Sequence, residues 1–131
     1  MSNPQIVAVS IALLALLITG LSIRVSILRL RHRVSFGDGG HKDLLVAIRA
    51  HGNALEQSML YSALALSCVA LPGVPPVTLA SCASVFVVAR LLHAAAIFGR
   101  QLLLRQAAHV VSVLVHLSLA TAIGWAWWIP A

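Results

Sequence analysis

Residues 46–71 read VAIRAHGNALEQSMLYSALALSCVAL, a largely apolar run that carries three strongly polar side chains near its start. These side chains, Arg49, Asn53 and Glu56, are spaced by four and then three residues, so a helix places them on one face. Hydrocarbon excludes charge, and ionised groups at membrane depth usually face a protein interior or a water-filled cavity. The run therefore predicts a membrane helix whose polar face lines a hydrated site suited to a zwitterionic ligand.

Composition extends this interpretation to the whole chain. Of its 131 residues, 60% are hydrophobic and only 9% are charged, which leaves too few polar residues to cover a soluble globule. Four apolar stretches each reach the roughly 20 residues that a helix needs to cross a bilayer. They predict an all-α, integral membrane four-helix bundle in one domain, residues 1–131, with spans at residues 4–28, 46–71, 76–98 and 107–129.

The distribution of positive charge predicts an orientation in the membrane. The first stretch is expected to be a retained span rather than a signal peptide, because its charges follow it instead of preceding it. Basic loops stay in the cytoplasm, so the two basic connections are predicted inside and both termini outside. The net charge of +6 does not favour nucleic-acid binding, since the basic residues flank spans. The clusters are Arg24, Arg29, Arg31, Arg33 and Lys42 in the first connection, and Arg100 and Arg105 in the third.

Cationic groups and one carboxylate are predicted to gather at the cytosolic ends of the spans. On the third span, Arg90, His93, Ile97 and Arg100 have spacings that place them on one helix face. Arginine forks bind carboxylates, Glu56 can bind an ammonium, and a guanidinium beside a thiol favours the reactive thiolate. A small peptide-like thiol has charges that complement these side chains, and it could add to a lipophilic electrophile that arrives from the bilayer. The side chains are Arg29, Arg49, Glu56, Arg90, His93, Arg100 and Arg105.

The other polar residues are interpreted as structural. Asp43 is predicted to cap the second helix. Cys68 and Cys82 lack a C-x-x-C context and are expected to pack in the bundle. His109 and His116 are assigned to packing or interhelical contacts, and no metal site is predicted, because the histidines lack metal-ligand spacing. An aromatic belt at the outer interface is predicted from Trp125, Trp127 and Trp128.

At these residues the chain resembles the MAPEG family, the membrane-associated proteins in eicosanoid and glutathione metabolism. The run IRAHGNALE at residues 48–56 matches the family signature R-A-x-x-N-x-x-E. The run RLLHA at residues 90–94 resembles the family element G-R-x-x-H/Y, with Ala89 in place of the glycine. The linker at residues 29–40 resembles that of the short bacterial branch.

The resemblance implies a homotrimer in the bacterial inner membrane that binds glutathione, as co-substrate, between adjacent subunits at the cytosolic face. It implies membrane lipid and a hydrophobic small molecule as further partners, in glutathione transferase or peroxidase chemistry. Gln57 and Ile97 stand where many relatives carry aromatic residues, so binding is implied more directly than turnover. The implied glutathione contacts are Arg29, Arg49, Asn53, Glu56, Arg90 and His93, with Arg100 or Arg105 stabilising the thiolate.

Other interpretations of the polar face stay open. In a non-enzymatic membrane scaffold or lipid-binding protein, Arg49 and Glu56 would neutralise each other, join subunits or hold a lipid head group. A small transporter is less favoured, because the spans contain no Gly- or Pro-broken helix near mid-membrane, where transporters place their sites.

Overall fold

Four α-helices make up the described part of the chain. The structure, a computed structural model, describes residues 1–126 and Trp128. No strand occurs in these residues, and the predicted all-α fold is confirmed. The helices are α1 (Asn3–His32), α2 (Lys42–Ala70), α3 (Pro76–Phe98) and α4 (Leu102–Ala126).

Three of the helices differ in extent from the predicted spans. Helix α3 coincides with the predicted span at residues 76–98, whereas α1, α2 and α4 each continue into the polar sequence beside the basic connections. Arginine and lysine are good helix formers, so these helices need not end where the apolar sequence ends. Trp127, and the predicted end of the fourth span at residue 129, lie outside the described residues.

Local sequence determines where several helices begin and end. At the start of α1, the Ser2 backbone N–H donates to Gln5 Oε1 at 3.0 Å, as in a capping box. In the turn between α2 and α3, Gly73 has a φ of 90°, which glycine adopts at little steric cost. Pro76 then starts α3, where its missing N–H is tolerated. Such a short connection makes α2 and α3 antiparallel neighbours.

The helices pack as a rhombus in cross-section. Helices α1 and α4 each contact both α2 and α3, which also contact each other. No contact joins α1 to α4 among the described residues. The α1–α2 loop (residues 33–41) and the α3–α4 turn (residues 99–101) lie at the same end of this up-and-down bundle, here called the basic end. Side chains of α2, α3 and α4 can therefore converge near that end.

The apolar surface identifies a membrane protein. Helices α1, α3 and α4 are each long and apolar enough to cross a membrane. Helix α2 is as long but carries Arg49, Asn53 and Glu56, which lower its hydropathy, so its passage through the membrane stays a prediction. Large apolar side chains are exposed on all four helices, as expected for surfaces that meet lipid; examples are Leu16, Met59, Val88 and Leu117.

The half of the bundle nearest the α2–α3 turn has a mainly apolar core. The rings of Tyr61 and Phe86 stack with centroids 4.3 Å apart, and the Tyr61 and Ser10 hydroxyls are hydrogen-bonded at 2.9 Å. Cys68 is buried and Cys82 half-buried, both as free thiols, in agreement with their predicted packing role. The charged residues of the sequence lie in the other half.

A cluster of polar side chains joins α1 to α2 at the basic end. His32 Nε2 lies 2.9 Å from Asp43 Oδ2, and the His32 ring stacks on His41 with centroids 3.9 Å apart. The hydrogen bond with His32 lowers the pKa of Asp43 below its ordinary value. Asp43 is not the N-cap residue that was predicted, because α2 begins at Lys42 and its N-cap is His41. Asp43 lies in the first turn, where Oδ1 accepts from the Leu44 N–H at 2.9 Å while Oδ2 faces His32.

Candidate functional site

A cleft of about 460 Å³ lies between α2, α3 and α4 near the basic end. Its volume falls in the range of roughly 300–1,000 Å³ that is usual for small-molecule sites. We call it the polar cleft, and its lining residues are Arg49, Gly52, Asn53, Glu56, His93, Ile97, Arg105, Gln106 and His109.

Helix α2 contributes the three polar side chains whose spacing predicts a shared face. Arg49, Asn53 and Glu56 line the polar cleft together. Arg49 and Glu56 are exposed and form no ion pair with each other; among the described residues the side-chain ion pair is His32–Asp43. Both charges on α2 are therefore available to a ligand or to a neighbouring molecule.

Helix α3 places its two predicted site residues differently. His93, although buried, lines the polar cleft together with the half-buried Ile97. Arg90 is not part of the lining and is only 1% exposed. Its Nη1 donates to Asn53 Oδ1 at 2.9 Å, and its Nη2 donates to the Ala108 carbonyl at 3.3 Å. Arg90 thus meets the cleft through Asn53 and not as the direct ligand contact that the sequence predicts.

Helix α4 supplies site residues that sequence reasoning missed. Gln106 and His109 line the polar cleft beside Arg105, although His109 was predicted to serve packing. The ring centroids of His109 and His93 are 6.3 Å apart. The spacing of residues 105, 106 and 109 places them near one helix face, which is the signal that could have found them.

The structure separates the two arginines that were equivalent candidates for the thiolate. Helix α3 ends at Phe98, so Arg100 does not share a helix face with Arg90 and His93 as predicted. Arg100 instead adopts a left-handed conformation with φ of 54°. It lines a neighbouring pocket of about 260 Å³ that also includes Arg49 and Arg105. Of the two arginines, Arg105 lines the polar cleft.

Arg29 lies apart from the other predicted contacts. It lines a separate cleft of about 590 Å³ between the end of α1 and the α1–α2 loop. Its Nη1 donates to the Ser35 carbonyl at 3.3 Å. Within one chain, the structure therefore does not bring Arg29 to the polar cleft.

The charges of the polar cleft favour an anionic ligand that also carries one positive group. Arg49 and Arg105 line the cleft with Glu56, and the buried Arg90 lies beneath Asn53. Guanidiniums bind carboxylates through paired N–H donors, and a carboxylate accepts from an ammonium. The arrangement can hold a small zwitterion with excess negative charge and can stabilise an anion, such as a thiolate, that forms within it.

Comparison with known proteins places the chain in a family. The model of the MAPEG family matches residues 7–125. Inner membrane protein YecN of Escherichia coli K12 is 52% identical over 42 residues, which is 32% of this chain and 32% of the relative. YecN of Escherichia coli O6:H1 matches with the same identity and coverage. The match thus spans about a third of the length of these curated relatives. Because the family match covers nearly all of the four-helix fold, the chain belongs to the MAPEG family.

Proposed function

We propose that this protein binds glutathione, or a related thiol with two carboxylates and one ammonium, in the polar cleft. The observation that supports the proposal is the convergence of two guanidiniums, an amide and a carboxylate on one cleft of about 460 Å³. Membership of the MAPEG family agrees with a thiol ligand of this kind.

The ionised groups of such a ligand have complementary partners in the cleft. Arg49 and the Asn53 amide can bind the carboxylates, while Glu56 can accept from the ammonium. Hydrogen bonds to charged groups contribute about 1.5–3 kcal/mol each. The excess of positive charge in the cleft matches the excess negative charge of a tripeptide with two carboxylates and one ammonium.

The same cleft can support thiol chemistry. A guanidinium beside the thiol favours the thiolate, and we assign that role to Arg105, which lines the cleft. The thiolate sulfur then bonds to an electrophilic carbon of a lipophilic substrate, whose leaving group departs with its electron pair, while the thiol proton passes to water. With a lipid hydroperoxide, two thiols become a disulfide and the peroxide becomes an alcohol and water. On this proposal the protein is a membrane-bound glutathione transferase or peroxidase.

Assembly of several chains would explain the position of Arg29. Because Arg29 lies in a separate cleft of its own chain, it can reach a polar cleft only from a neighbouring subunit. A homotrimer in the bacterial inner membrane provides such neighbours, and the inner membrane location of the YecN relative supports this setting. Basic loops stay in the cytoplasm, so the basic end would face the cytosol, with both termini outside and the bundle surrounded by lipid.

Calorimetric titration of the detergent-purified protein with glutathione tests the proposal. Glu56→Gln and Arg49→Ala each remove one charged contact, so each is expected to weaken binding by about tenfold or more. Arg31→Ala is the matched control, because Arg31 is an exposed arginine of α1 that does not line the polar cleft. The control should bind as the wild type does. Unchanged affinity in both cleft variants would contradict the proposal.

A non-enzymatic scaffold or lipid-binding protein is the second candidate. It is favoured by the exposure of Arg49 and Glu56 without an ion pair in one chain, since these charges could pair across a subunit interface. In that case Arg49→Ala would dissociate the assembly in size-exclusion chromatography, and glutathione would leave the thermal midpoint of unfolding unchanged. Glutathione binding by an intact Arg31→Ala assembly, with loss of binding by an intact Arg49→Ala assembly, would rule it out.

A further inference from the structure

Arg90 is a buried cation without a carboxylate partner. Its side chain is 1% exposed and forms no ion pair within the described part of the chain. Two neutral oxygens accept from its guanidinium, Asn53 Oδ1 at 2.9 Å and the Ala108 carbonyl at 3.3 Å. Nε is buried without a partner. A cation held in this way is costly, so packing alone does not account for Arg90.

The contact with Arg90 decides which way the Asn53 amide points. A guanidinium has only donors, so the Asn53 atom that faces it must be the acceptor Oδ1. In the reversed orientation, the Asn53 Nδ2 donor would face the guanidinium donors of Arg90, and no hydrogen bond could form between them. The Asn53 Nδ2 group therefore points away from Arg90. It makes no hydrogen bond among the described residues, and Asn53 lines the polar cleft, so this donor is free to meet a ligand.

We infer that Arg90 is a positioning residue that holds Asn53 as a hydrogen-bond donor to the bound ligand. In that role it selects a ligand with an acceptor at Asn53, a carboxylate or carbonyl oxygen, and disfavours an ammonium or amide N–H there. The identity of the ligand rests on the proposed function. The orientation of Asn53 rests on the geometry around Arg90 alone.

Arg90 also connects two walls of the polar cleft. Ala108, which accepts its second hydrogen bond, lies between Arg105 and His109 on α4. One guanidinium thus joins the Asn53 wall on α2 to the α4 wall that carries Arg105. Without Arg90, Asn53 Oδ1 has no partner among the described residues, and the amide could rotate to present either of its ends.

Asn53→Asp separates the donor role from a merely structural one. The two side chains have the same shape, so the new carboxylate keeps an oxygen toward Arg90 and supplies the missing counter-charge. The thermal midpoint of unfolding should rise by a few degrees. The atom facing the cleft becomes an acceptor, however, so glutathione affinity should fall by at least about tenfold.

Gln106→Glu is the matched control for added negative charge. It makes the same amide-to-carboxylate change on a lining residue of the same cleft, and the Arg90 guanidinium donates to Asn53 and Ala108 and not to Gln106. It should not raise the thermal midpoint, and its loss of glutathione affinity should be smaller than that of Asn53→Asp. A second test compares the affinity for glutathione with the affinity for glutathione diamide, in which both carboxylates are amides. The preference for glutathione over the diamide should fall about tenfold or more in Asn53→Asp, because an amide N–H can donate to Asp.

Substitutions of Arg90 test the positioning residue itself. Arg90→Met should weaken glutathione binding more than Arg90→Lys, since lysine retains the charge and one donor toward Asn53. If Arg90→Met fails to fold, Asn53→Asp still decides, because it leaves Arg90 in place. An Asn53→Asp variant that binds glutathione as tightly as wild type, or that melts at or below the wild-type temperature, overturns the inference. If wild-type protein does not bind glutathione, the proposed function fails, and the melting temperature of Asn53→Asp still tests the contact between Arg90 and residue 53 on which the inference depends.

Discussion

The two faces of the α3–α4 pair differ in polarity. One face lines the polar cleft. The other lines an apolar groove of about 380 Å³, formed by Ser84, Val85, Val88, Ala89, Leu92, Leu104, Ala107, Ala108 and Val111. Adjacent residues line different surfaces. On α3, Leu92 lines the groove and His93 lines the cleft; on α4, Ala108 lines the groove and His109 lines the cleft. Successive side chains of a helix are about 100° apart around its axis. The same two helices can therefore line a polar cleft on one side and an apolar groove on the other.

Volume alone does not distinguish the candidate site from the other pockets of this protein. The apolar groove, at about 380 Å³, is nearly as large as the polar cleft, at about 460 Å³. No charged side chain lines the groove, and lipid tails can fill it without any specific contact. The cleft instead presents charges that need water or a ligand. Function is therefore assigned by the chemistry of the lining.

The largest effect is expected from Arg105→Ala, which on the proposed function removes the guanidinium that stabilises the thiolate. Loss of one donor to a developing anion typically slows catalysis by about 100- to 1,000-fold. The rate of glutathione conjugation to an activated aryl chloride should fall by that order, with a smaller change in glutathione affinity. Arg100→Ala is the matched control, since Arg100 lines only the neighbouring pocket. A larger loss in Arg100→Ala would reverse the assignment.

A charge placed in the apolar groove should affect stability and leave the ligand site intact. Val88 is exposed on α3 and lines the groove. An arginine inside a membrane span costs about 2.5–3.5 kcal/mol, so Val88→Arg should lower the yield and the thermal midpoint of the folded protein. Molecules that do fold should bind glutathione with wild-type affinity in calorimetry. Weakened binding by the folded fraction would show that the two faces are coupled.

A moderate effect is expected from His109→Phe on the α4 wall of the polar cleft. The substitution keeps an aromatic ring opposite His93 and removes the polar ring nitrogens. Loss of one neutral hydrogen bond costs about 1 kcal/mol, so glutathione affinity should fall roughly fivefold. His41→Phe is the control, because His41 lies in the α1–α2 loop and stacks on His32. If His109→Phe and the wild type bind glutathione with equal affinity, His109 does not contact the ligand.

The smallest effect is expected at Asp43, which lines neither the polar cleft nor the apolar groove. The hydrogen bond with His32 lowers the pKa of Asp43, so the folded state favours its charged form. This contribution to stability is present above the ordinary Asp pKa and is lost as the pH falls through the lowered value. Asp43→Asn should slightly lower the thermal midpoint at neutral pH, and the difference from wild type should vanish in acid. A difference that grows on acidification would contradict this sign.

Part of the site could be predicted from the sequence because it lies on one helix. The spacing of Arg49, Asn53 and Glu56 determines their common face whatever the helix packs against. The bounds of the third helix were predicted as observed, since apolar length and flanking proline and glycine define them. Arg100 was misplaced because the helical spacing was continued past Gly99, where α3 has already ended at Phe98.

The sequence by itself determined a membrane protein of four helices and the polar face of α2, because hydropathy and helical period are local properties of a chain. Only the tertiary structure decided that Arg105 and His109 join that face, that Arg90 lies beneath it and that Arg29 lies apart. The reason is geometric: a helical period fixes the angle of a side chain about its own axis. The packing of neighbouring helices decides what lies opposite.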